Sequence, residues 1–289
     1  MSRKGIRLVL VALLAVAVPA ARGSGFLIYE HGAAAQAMAG AFTSIANDPS
    51  AIWHNPAGLA WVDGTQVLLG DTFIVPVGSV FLPNYPGTPT IKQVSQVFYP
   101  PHAYVTHKIS DRVTVGLGFC TPFGLGTKWP DPSTFPLRYV GTSNDMKTYF
   151  INPTVAFKLT DNLAFGFGLT YIYSEIDINV VQLMGIPDVA EFDVPSELQG
   201  HGSSFQWDAG LLYKGKGFSL GANYRSHFDV TYKGNVSLDT SGIPDPYRAA
   251  FPTSGTDQFT FRFPDTLTAG VSVNLTKTLL WAFDFDYLF

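Results

Sequence analysis

Apolar side chains occur at every second position along much of this chain. The clearest run lies between residues 218 and 233, where only Ser226 interrupts an apolar row made of Phe218, Leu220, Ala222, Tyr224, Phe228, Val230 and Tyr232. Successive side chains of a β-strand point to opposite faces, so the run predicts one strand with a single apolar face. About 15 residues exceeds the roughly five or six of a soluble strand and suits a tilted membrane strand with an extension.

The same alternation recurs in four other segments, at residues 149–157, 163–174, 205–213 and 259–275. The last of these predicts one apolar face interrupted by Asp265, with polar residues such as Arg262 on the other face. Aromatic residues concentrate near the predicted strand ends, as the interfacial girdles of a membrane barrel require. A soluble antiparallel sheet would show similar alternation, so the connections between strands must distinguish the two.

Short and long connections alternate along the chain. Short ones are predicted at residues 109–112, 160–162, 214–217 and 276–278, and long ones at 82–96, 121–145, 181–202 and 235–258. Short periplasmic turns and long outer loops are typical of outer-membrane barrels, whereas a sandwich has no reason to place every long loop at one end. We therefore predict an all-β protein, a transmembrane antiparallel β-barrel.

Nine strands are predicted, and nine is an odd number. Bacterial single-chain barrels have even strand numbers, and an unpaired edge is not tolerated in lipid. Either the count is off or the sequence is a fragment that is truncated at its C-terminus. The alternating Phe285, Tyr287 and Phe289 mimic a terminal assembly signal, which is the one observation against the expected truncation.

Residues 1–23 are predicted to be a secretory signal peptide. Arg3, Lys4 and Arg7 precede an apolar run of about eleven residues, which is too short to span a membrane, and cleavage is expected after Gly23. Cleavage would leave 14 basic and 22 acidic residues, a net charge of −8. Such an acidic exported chain is a poor candidate for nucleic-acid binding. Its single cysteine, Cys120, reads as a small apolar strand residue.

Residues 24–64 are predicted to form a small helical hatch that plugs the barrel of residues 65–289. The stretch is rich in Ala and Gly and carries turn signals at Asn47-Asp48-Pro49 and at Asn55-Pro56. Small side chains let short helices and turns lie close together, and Pro after Asn fixes a turn. The hatch residues are Asn55, Pro56, Ala57 and Gly58. The alternative is an ordinary N-terminal cap on a soluble β domain.

An enzyme is not predicted, and neither a cofactor nor a metal is expected. The six histidines show no metal-ligand spacing. His227, between Arg225 and Asp229 in the sequence pattern, is interpreted as a lumen-lining residue.

Two blocks of sequence resemble the outer-membrane family of long-chain fatty acid transporters, which also includes importers of toluene and related hydrocarbons. The first comprises Ser24-Gly25-Phe26, Tyr29-Glu30, Ala39-Gly40-Ala41, residues 46–51 and above all Asn55-Pro56-Ala57-Gly58-Leu59. The second comprises Gly116-Leu117-Gly118-Phe119 and Thr121-Pro122-Phe123-Gly124-Leu125. The resemblance implies a fourteen-stranded barrel, of which about nine strands are present here, with an N-terminal hatch and a kinked third strand that opens the wall sideways.

The resemblance places the lateral opening at Gly116, Gly118, Pro122 and Gly124, where Gly or Pro inside a strand weakens pairing and permits a kink. The alternative is that these residues only begin a loop. The implied function is passive transport of hydrophobic small molecules, long-chain fatty acids or hydrocarbons, across the outer membrane of a Gram-negative bacterium. The rival is a structural or adhesive outer-membrane barrel that binds a partner through its outer loops.

The ligand cleft is expected among apolar residues of the long loops, because binding pockets are mostly apolar with few polar anchors. The candidates are Phe123, Leu125, Trp129, Phe135, Leu137, Leu183, Met184 and Ile186. No Lys or Arg lies between Lys158 and Lys214, an interval rich in Asp and Glu, which favours a neutral ligand over a free fatty acid. Lys128, Arg138 or Arg225 would be the alternative partners of a carboxylate. We expect a monomer whose partners are a hydrophobic ligand, outer-membrane lipid and lipopolysaccharide.

Overall fold

The structure is a computed structural model of the 289-residue chain, and it describes residues 27–29, 31–83, 90–186 and 190–289. The predicted signal peptide, the first residues of the predicted hatch, Glu30 and the side chain of Ile186 lie outside the described residues.

The described residues form a long antiparallel sheet, a separate sheet of two short strands, and a few short helices, most of which precede the long sheet. The helical segments are α1 (Ala33–Ala37), α2 (Ala51–His54) and the 3-10 helices η1 (Pro56–Trp61) and η2 (Arg248–Ala250). The strands are β1 (Thr65–Asp71), β2 (Ser79–Val80), β3 (Ile91–Lys92), β4 (Pro101–Ser110), β5 (Val113–Cys120), β6 (Gly124–Lys128), β7 (Ser143–Lys158), β8 (Leu163–Ile186), β9 (Ala190–Lys214), β10 (Phe218–Arg225), β11 (Phe228–Leu238), β12 (Ser254–Phe263), β13 (Thr266–Asn274) and β14 (Leu280–Leu288). None of the described helices is long and apolar enough to cross a membrane.

Three of the spanning strands are each built from two segments. The sheet order is β1-β4-β5-β7-β8-β9-β10-β13-β14, while β6 pairs with β7 and β11 pairs with β9 and β12. The third strand is therefore β5 plus β6, the seventh is β10 plus β11, and the eighth is β12 plus β13. The nine predicted strands are all present as antiparallel neighbours, with β1 and β14 at the two edges of the described sheet.

One predicted loop is largely strand. Residues 181–202 were expected to form a long connection, but β8 and β9 stay paired from Leu163 opposite Tyr213 to Ile186 opposite Ala190. Their outer parts carry polar side chains on the outward face, such as Glu175, Asp177 and Gln199, which line a groove there. Paired strands satisfy each other's backbone N–H and C=O groups in water as well as in lipid. A paired hairpin can therefore extend beyond the apolar belt as readily as a loop does.

Aromatic side chains form a belt on the outside of the sheet. Tyr149 stacks between Phe119 and Tyr173, with ring centroids 6.3 Å from each, and Trp207 lies 5.0 Å from Tyr224 on the next strand. Below this belt the outward residues are exposed and apolar, for example Leu169 and Leu220, as lipid contact requires. The inward residues at that level are buried and mostly polar or small, including Thr114, Thr154 and Thr170.

The seventh and eighth strands exchange their faces at a break, contrary to the prediction of one continuous apolar face. Phe218 and Leu220 are 39% and 48% exposed, whereas Phe228 and Val230 are 2% and 0% exposed. Nine residues from Arg225 to Lys233 lie against only eight of β9, from Asp208 to His201, so a bulged residue reverses the alternation. The eighth strand reverses in step, because Phe228 still pairs with Phe263 and Arg225 with Thr266.

The reversal has a physical cause in the surroundings of each section. Above the break the outer surface is polar: Asp229 accepts two 2.7 Å hydrogen bonds from Arg262, and Thr231 and Thr260 share a 2.9 Å hydrogen bond. The interpretation of His227 as lumen-lining is wrong, because His227 is exposed and its Nδ1 lies 3.0 Å from Asp265 on the outer face. Arg225, in contrast, is buried inside.

Candidate functional site

The hatch, residues 31–64 of the described chain, lies against the inner face of the sheet. Residues 51–60 are all buried, and η1 contacts β5, β7, β8 and β9. Asn55 precedes η1, whose first residue is Pro56. The Asn55 side chain accepts a hydrogen bond from Ala57 N at 3.1 Å and donates to Thr43 O at 2.8 Å and to Leu211 O at 3.0 Å. Asn55 thus caps the helix, as Asn prefers, and also ties the hatch to β9.

A row of wall glycines lets the hatch backbone touch the sheet directly. A Cβ atom on Gly166 would lie 2.3 Å from Ala57 N, one on Gly210 2.1 Å from Asn55 Oδ1, and one on Gly221 2.3 Å from Thr43 O. Real Cβ contacts are never that short, so no other residue fits without moving the hatch. We call these three residues the glycine belt.

Gly116 and Gly118, two of the predicted lateral-opening residues, also face the hatch. Both lie in the regularly paired part of β5, and a Cβ on either would come within 2.7 Å of the Ile52 side chain. Their position fits close contact with the hatch, and the break in the third strand lies further on.

Two charged side chains bind the hatch to the wall. Arg225 Nη2 donates to Trp53 O at 2.6 Å, and its guanidinium carbon lies 3.6 Å from the Trp53 ring centroid. Asp208, 1% exposed, is paired with Arg225 in the β-ladder and accepts from Asn152 at 3.0 Å. On β14, Asp284 Oδ2 accepts the backbone N–H groups of Phe42 at 3.0 Å and Thr43 at 2.8 Å.

Two hatch histidines are held neutral. Burial lowers the pKa of His54 to about 4 and lowers the pKa of His31 well below its usual value. His54 Nε2 donates to His31 O at 2.8 Å, which fixes the His54 tautomer. The His31 ring lies edge-on to Trp53 at 4.9 Å and to His102 at 5.9 Å. Among the described residues no group of three or more His, Cys, Asp or Glu side chains is placed to hold a metal ion.

The third strand breaks between Cys120 and Gly124. Both parts pair with β7, but the five residues from Cys120 to Gly124 lie against the four from Phe150 to Lys147. Pro122 O accepts the backbone N–H of Ile28 at 2.8 Å, and Leu125 has the left-handed φ of 83° that non-glycine residues rarely adopt. Pro122 and Gly124 are therefore at the break itself.

A cavity of about 470 Å³ passes beside this break. Its inner lining includes Ile28 and Phe123, and its outer lining includes Tyr149 of the aromatic belt. Leu125 and Met146 also line it, and the charged residues at its edge, Lys147 and Asp145, form an ion pair at 3.2 Å. We call this space the wall cavity.

Four phenylalanines meet inside the barrel next to the wall cavity, and we call them the aromatic cluster: Phe123, Phe150, Phe228 and Phe263. Phe228 and Phe263 stack with centroids 4.3 Å apart, and Phe123 lies 4.8 Å from Phe263 and 6.0 Å from Phe150. Of this set, the sequence analysis named only Phe123 as a cleft residue. The sequence signal for the inward position of Phe228 and Phe263 is the interruption of the two apolar rows at Ser226 and Asp265, where the two strands exchange faces.

The other predicted cleft residues lie apart from the aromatic cluster. Trp129 and Phe135 stack on each other with centroids 5.0 Å apart, in the loop that also contains partly buried Leu137. Leu183, 54% exposed, and Met184 lie near the outer end of β8. Of the predicted cleft residues, Phe123 and Leu125 line the wall cavity together.

The comparisons with known proteins agree with this architecture. The sequence profile of the outer membrane protein transport protein family (OMPP1/FadL/TodX) matches residues 12–288. The chain belongs to this family. As a member of the FadL/TodX family it is an outer-membrane protein of a Gram-negative bacterium, with a β-barrel fold and an N-terminal hatch.

A long-chain fatty acid transport protein of Salmonella typhi is 25% identical over an alignment of 228 residues, and the match covers 73% of this chain and 52% of that protein. The chain described here thus spans about half the length of the curated relatives it matches. Two solved structures share its fold. A Pseudomonas aeruginosa FadL homologue superposes with a TM-score of 0.72 at 18% identity, over 92% of this chain and 70% of that one. The Ralstonia pickettii toluene transporter TbuX superposes with a TM-score of 0.69 at 17% identity, over 90% and 72%.

Proposed function

We propose that this protein transports hydrophobic small molecules across the outer membrane by passive diffusion, and that the solute leaves sideways through the wall cavity. The observation that carries the proposal is the cavity of about 470 Å³ beside the third-strand break, which reaches from Phe123 inside to Tyr149 outside. The hatch, anchored by Asn55, Arg225 and Asp284, blocks the direct route along the barrel axis. Residues 24–64 act as that hatch, and residues 65–289 form the wall.

The driving force needs no energy coupling in the protein. Removing apolar solute surface from water is favourable by roughly 25 cal/mol of free energy for each Å². The solute therefore enters the aromatic cluster and then the bilayer spontaneously. Pro122 and Gly124 keep the third strand broken, because proline donates no ladder hydrogen bond and glycine allows the bend. Phe123 stands between the aromatic cluster and the wall cavity.

We propose a neutral ligand, an alkane, an aromatic hydrocarbon or an ester, in preference to a free fatty acid. Two of the three cations that could meet a carboxylate are already engaged. Arg138 Nε donates to Asp193 Oδ2 at 2.9 Å, and Arg225 is bound to Trp53 and faces Asp208. Burying a carboxylate without a free cationic partner is unfavourable.

Uptake of labelled toluene, dodecane and oleate into cells that lack other transporters of this type tests the proposal. Expression of the protein should increase uptake of the neutral solutes most, and Pro122→Val with Gly124→Val should reduce it by allowing regular pairing. Gly255→Ala is the matched control, since a Cβ there meets nothing within 4 Å. Equal uptake with and without the protein for every solute would refute transport and favour a structural or adhesive barrel.

A further inference from the structure

A second, smaller cavity lies between the hatch and the aromatic cluster. Its volume is about 50 Å³, and Trp53, Phe123, Gln206, Asn223 and Arg225 are among its lining residues. A buried water needs at least about 10–15 Å³ by the same measure, so the space admits a hydroxyl group and a carbon or two. Phe123 lines both this space, which we call the floor cavity, and the wall cavity.

Two amide oxygens at the floor cavity have no donor. Gln206 is 3% exposed, and its Nε2 donates a hydrogen bond to Ser226 O at 2.5 Å. This bond fixes the orientation of the amide, so Oε1 is the acceptor that faces no donor. Gln206 Oε1 and Asn223 Oδ1 are both buried and without a hydrogen-bond partner among the described residues. Buried acceptors of this kind are rare and favour a donor from a ligand or from water.

The charges around the floor cavity disfavour an ionised ligand of either sign. Arg225 lines the cavity and repels a cation, while its guanidinium is already engaged with the Trp53 carbonyl and ring. Asp208 pairs with Arg225 in the ladder and Asp286 lines the cavity, so a ligand carboxylate would be repelled by two acidic side chains and would find Arg225 already engaged. The remaining match is a neutral group that donates a hydrogen bond.

We propose that the floor cavity binds the O–H group of a neutral amphiphile, such as a long-chain alcohol or a phenol, which donates its one hydroxyl proton to Asn223 Oδ1 beside Gln206 Oε1. The hydrocarbon part would lie against Phe123 and extend toward the wall cavity. This inference rests on the proposed function and adds a head-group preference to it.

Ligand binding can be followed by the fluorescence of Trp53, which lines the cavity, in a full-length chain with Trp61, Trp129, Trp207 and Trp281 replaced by Phe. The probes are 1-dodecanol, dodecane, dodecanoate and dodecylammonium, which share chain length and differ in the head group. One net hydrogen bond predicts that 1-dodecanol binds about fivefold more tightly than dodecane, and more tightly than either ion.

Asn223→Leu, of nearly equal volume, should reduce the preference for 1-dodecanol over dodecane to about one while leaving dodecane binding unchanged. Asn235→Leu, at an outer-surface groove, is the matched control and should keep the preference. Equal affinities for 1-dodecanol and dodecane in the chain with native Gln206 and Asn223 would overturn the inference, since water alone would then serve the two acceptors. Binding of none of the four probes would refute the transport proposal itself, and the inference with it.

Discussion

Replacing Gly210 of the glycine belt by Ala should loosen the hatch. The new Cβ would lie 2.1 Å from Asn55 Oδ1 and 2.9 Å from Pro56 Cδ, against an ordinary contact of about 3.4–4 Å, so the Asn55 turn must move by more than about 1 Å. Such a movement breaks the bonds of Asn55 to Ala57 N and Leu211 O, now 3.1 and 3.0 Å long.

The size of the effect follows from these contacts. Two hydrogen bonds at about 1 kcal/mol each and an overpacking cost of about 1–3 kcal/mol give a loss of roughly 3–5 kcal/mol for hatch docking. This loss raises the undocked fraction by roughly a hundredfold to several thousandfold, because each 1.4 kcal/mol is a factor of ten.

Planar-bilayer conductance and the sensitivity of cells to bulky polar antibiotics both report an open lumen. Gly210→Ala should increase both, whereas Gly255→Ala, with nothing within 4 Å of its Cβ, should leave both unchanged. The reasoning fails if Gly210→Ala shows the conductance of the unaltered protein while folding normally on an unheated gel.

The remaining predictions concern the hatch and the two breaks. Acid should release the hatch: the pKa of His54 is about 4 when docked and about 6.5 when exposed, so docking is fully stable above pH 6.5 and loses on the order of 3 kcal/mol as the pH falls through 4. Proteolysis of the hatch measured from pH 7 to pH 4 should show this, and His54→Gln should flatten the profile. Asp284→Ala should raise conductance by leaving the N–H groups of Phe42 and Thr43 unpaired, whereas Asp257→Ala, on the exposed outer surface, should not. Phe123→Ala should change the relative uptake of toluene and dodecane because it enlarges the connection between the aromatic cluster and the wall cavity; an unchanged ratio would argue against that route.

The fold was largely predictable because period-two alternation and turn signals are local properties of the sequence. The nine strands, the four short turns and the buried Asn55-Pro56 turn follow from such signals. The strand structure of most of residues 181–202 could not be predicted in this way, because polar residues suit both a loop and a strand that lies outside the bilayer.

The candidate site was less predictable, because it depends on where each strand changes its face. One bulged residue near Ser226 turns Phe228 inward, although its sequence parity matches that of lipid-facing Leu220. The same bulge places His227 outside and Arg225 inside, which no single-residue property indicates. The glycine belt was invisible for a similar reason, since a strand glycine is recognisable as a contact surface only once its neighbour is known.

The exchange of faces at the breaks gives the wall two stacked sections of opposite polarity. Above the break, apolar side chains such as Phe228 point inward and charged ones such as Arg262 point outward. Below the break, apolar side chains such as Leu220 point outward and the inward side chains are mostly polar or small. An apolar solute is therefore stabilised on the inner side of the wall above the break and on the outer, lipid-facing side below it. The free energy gained by keeping it in apolar surroundings is about 0.8 kcal/mol for each methylene group. The level of that inversion is where the third strand is also interrupted. If the proposed lateral route is correct, the exchange of faces in these two strands favours exit at this level, where the broken third strand leaves a gap in the wall.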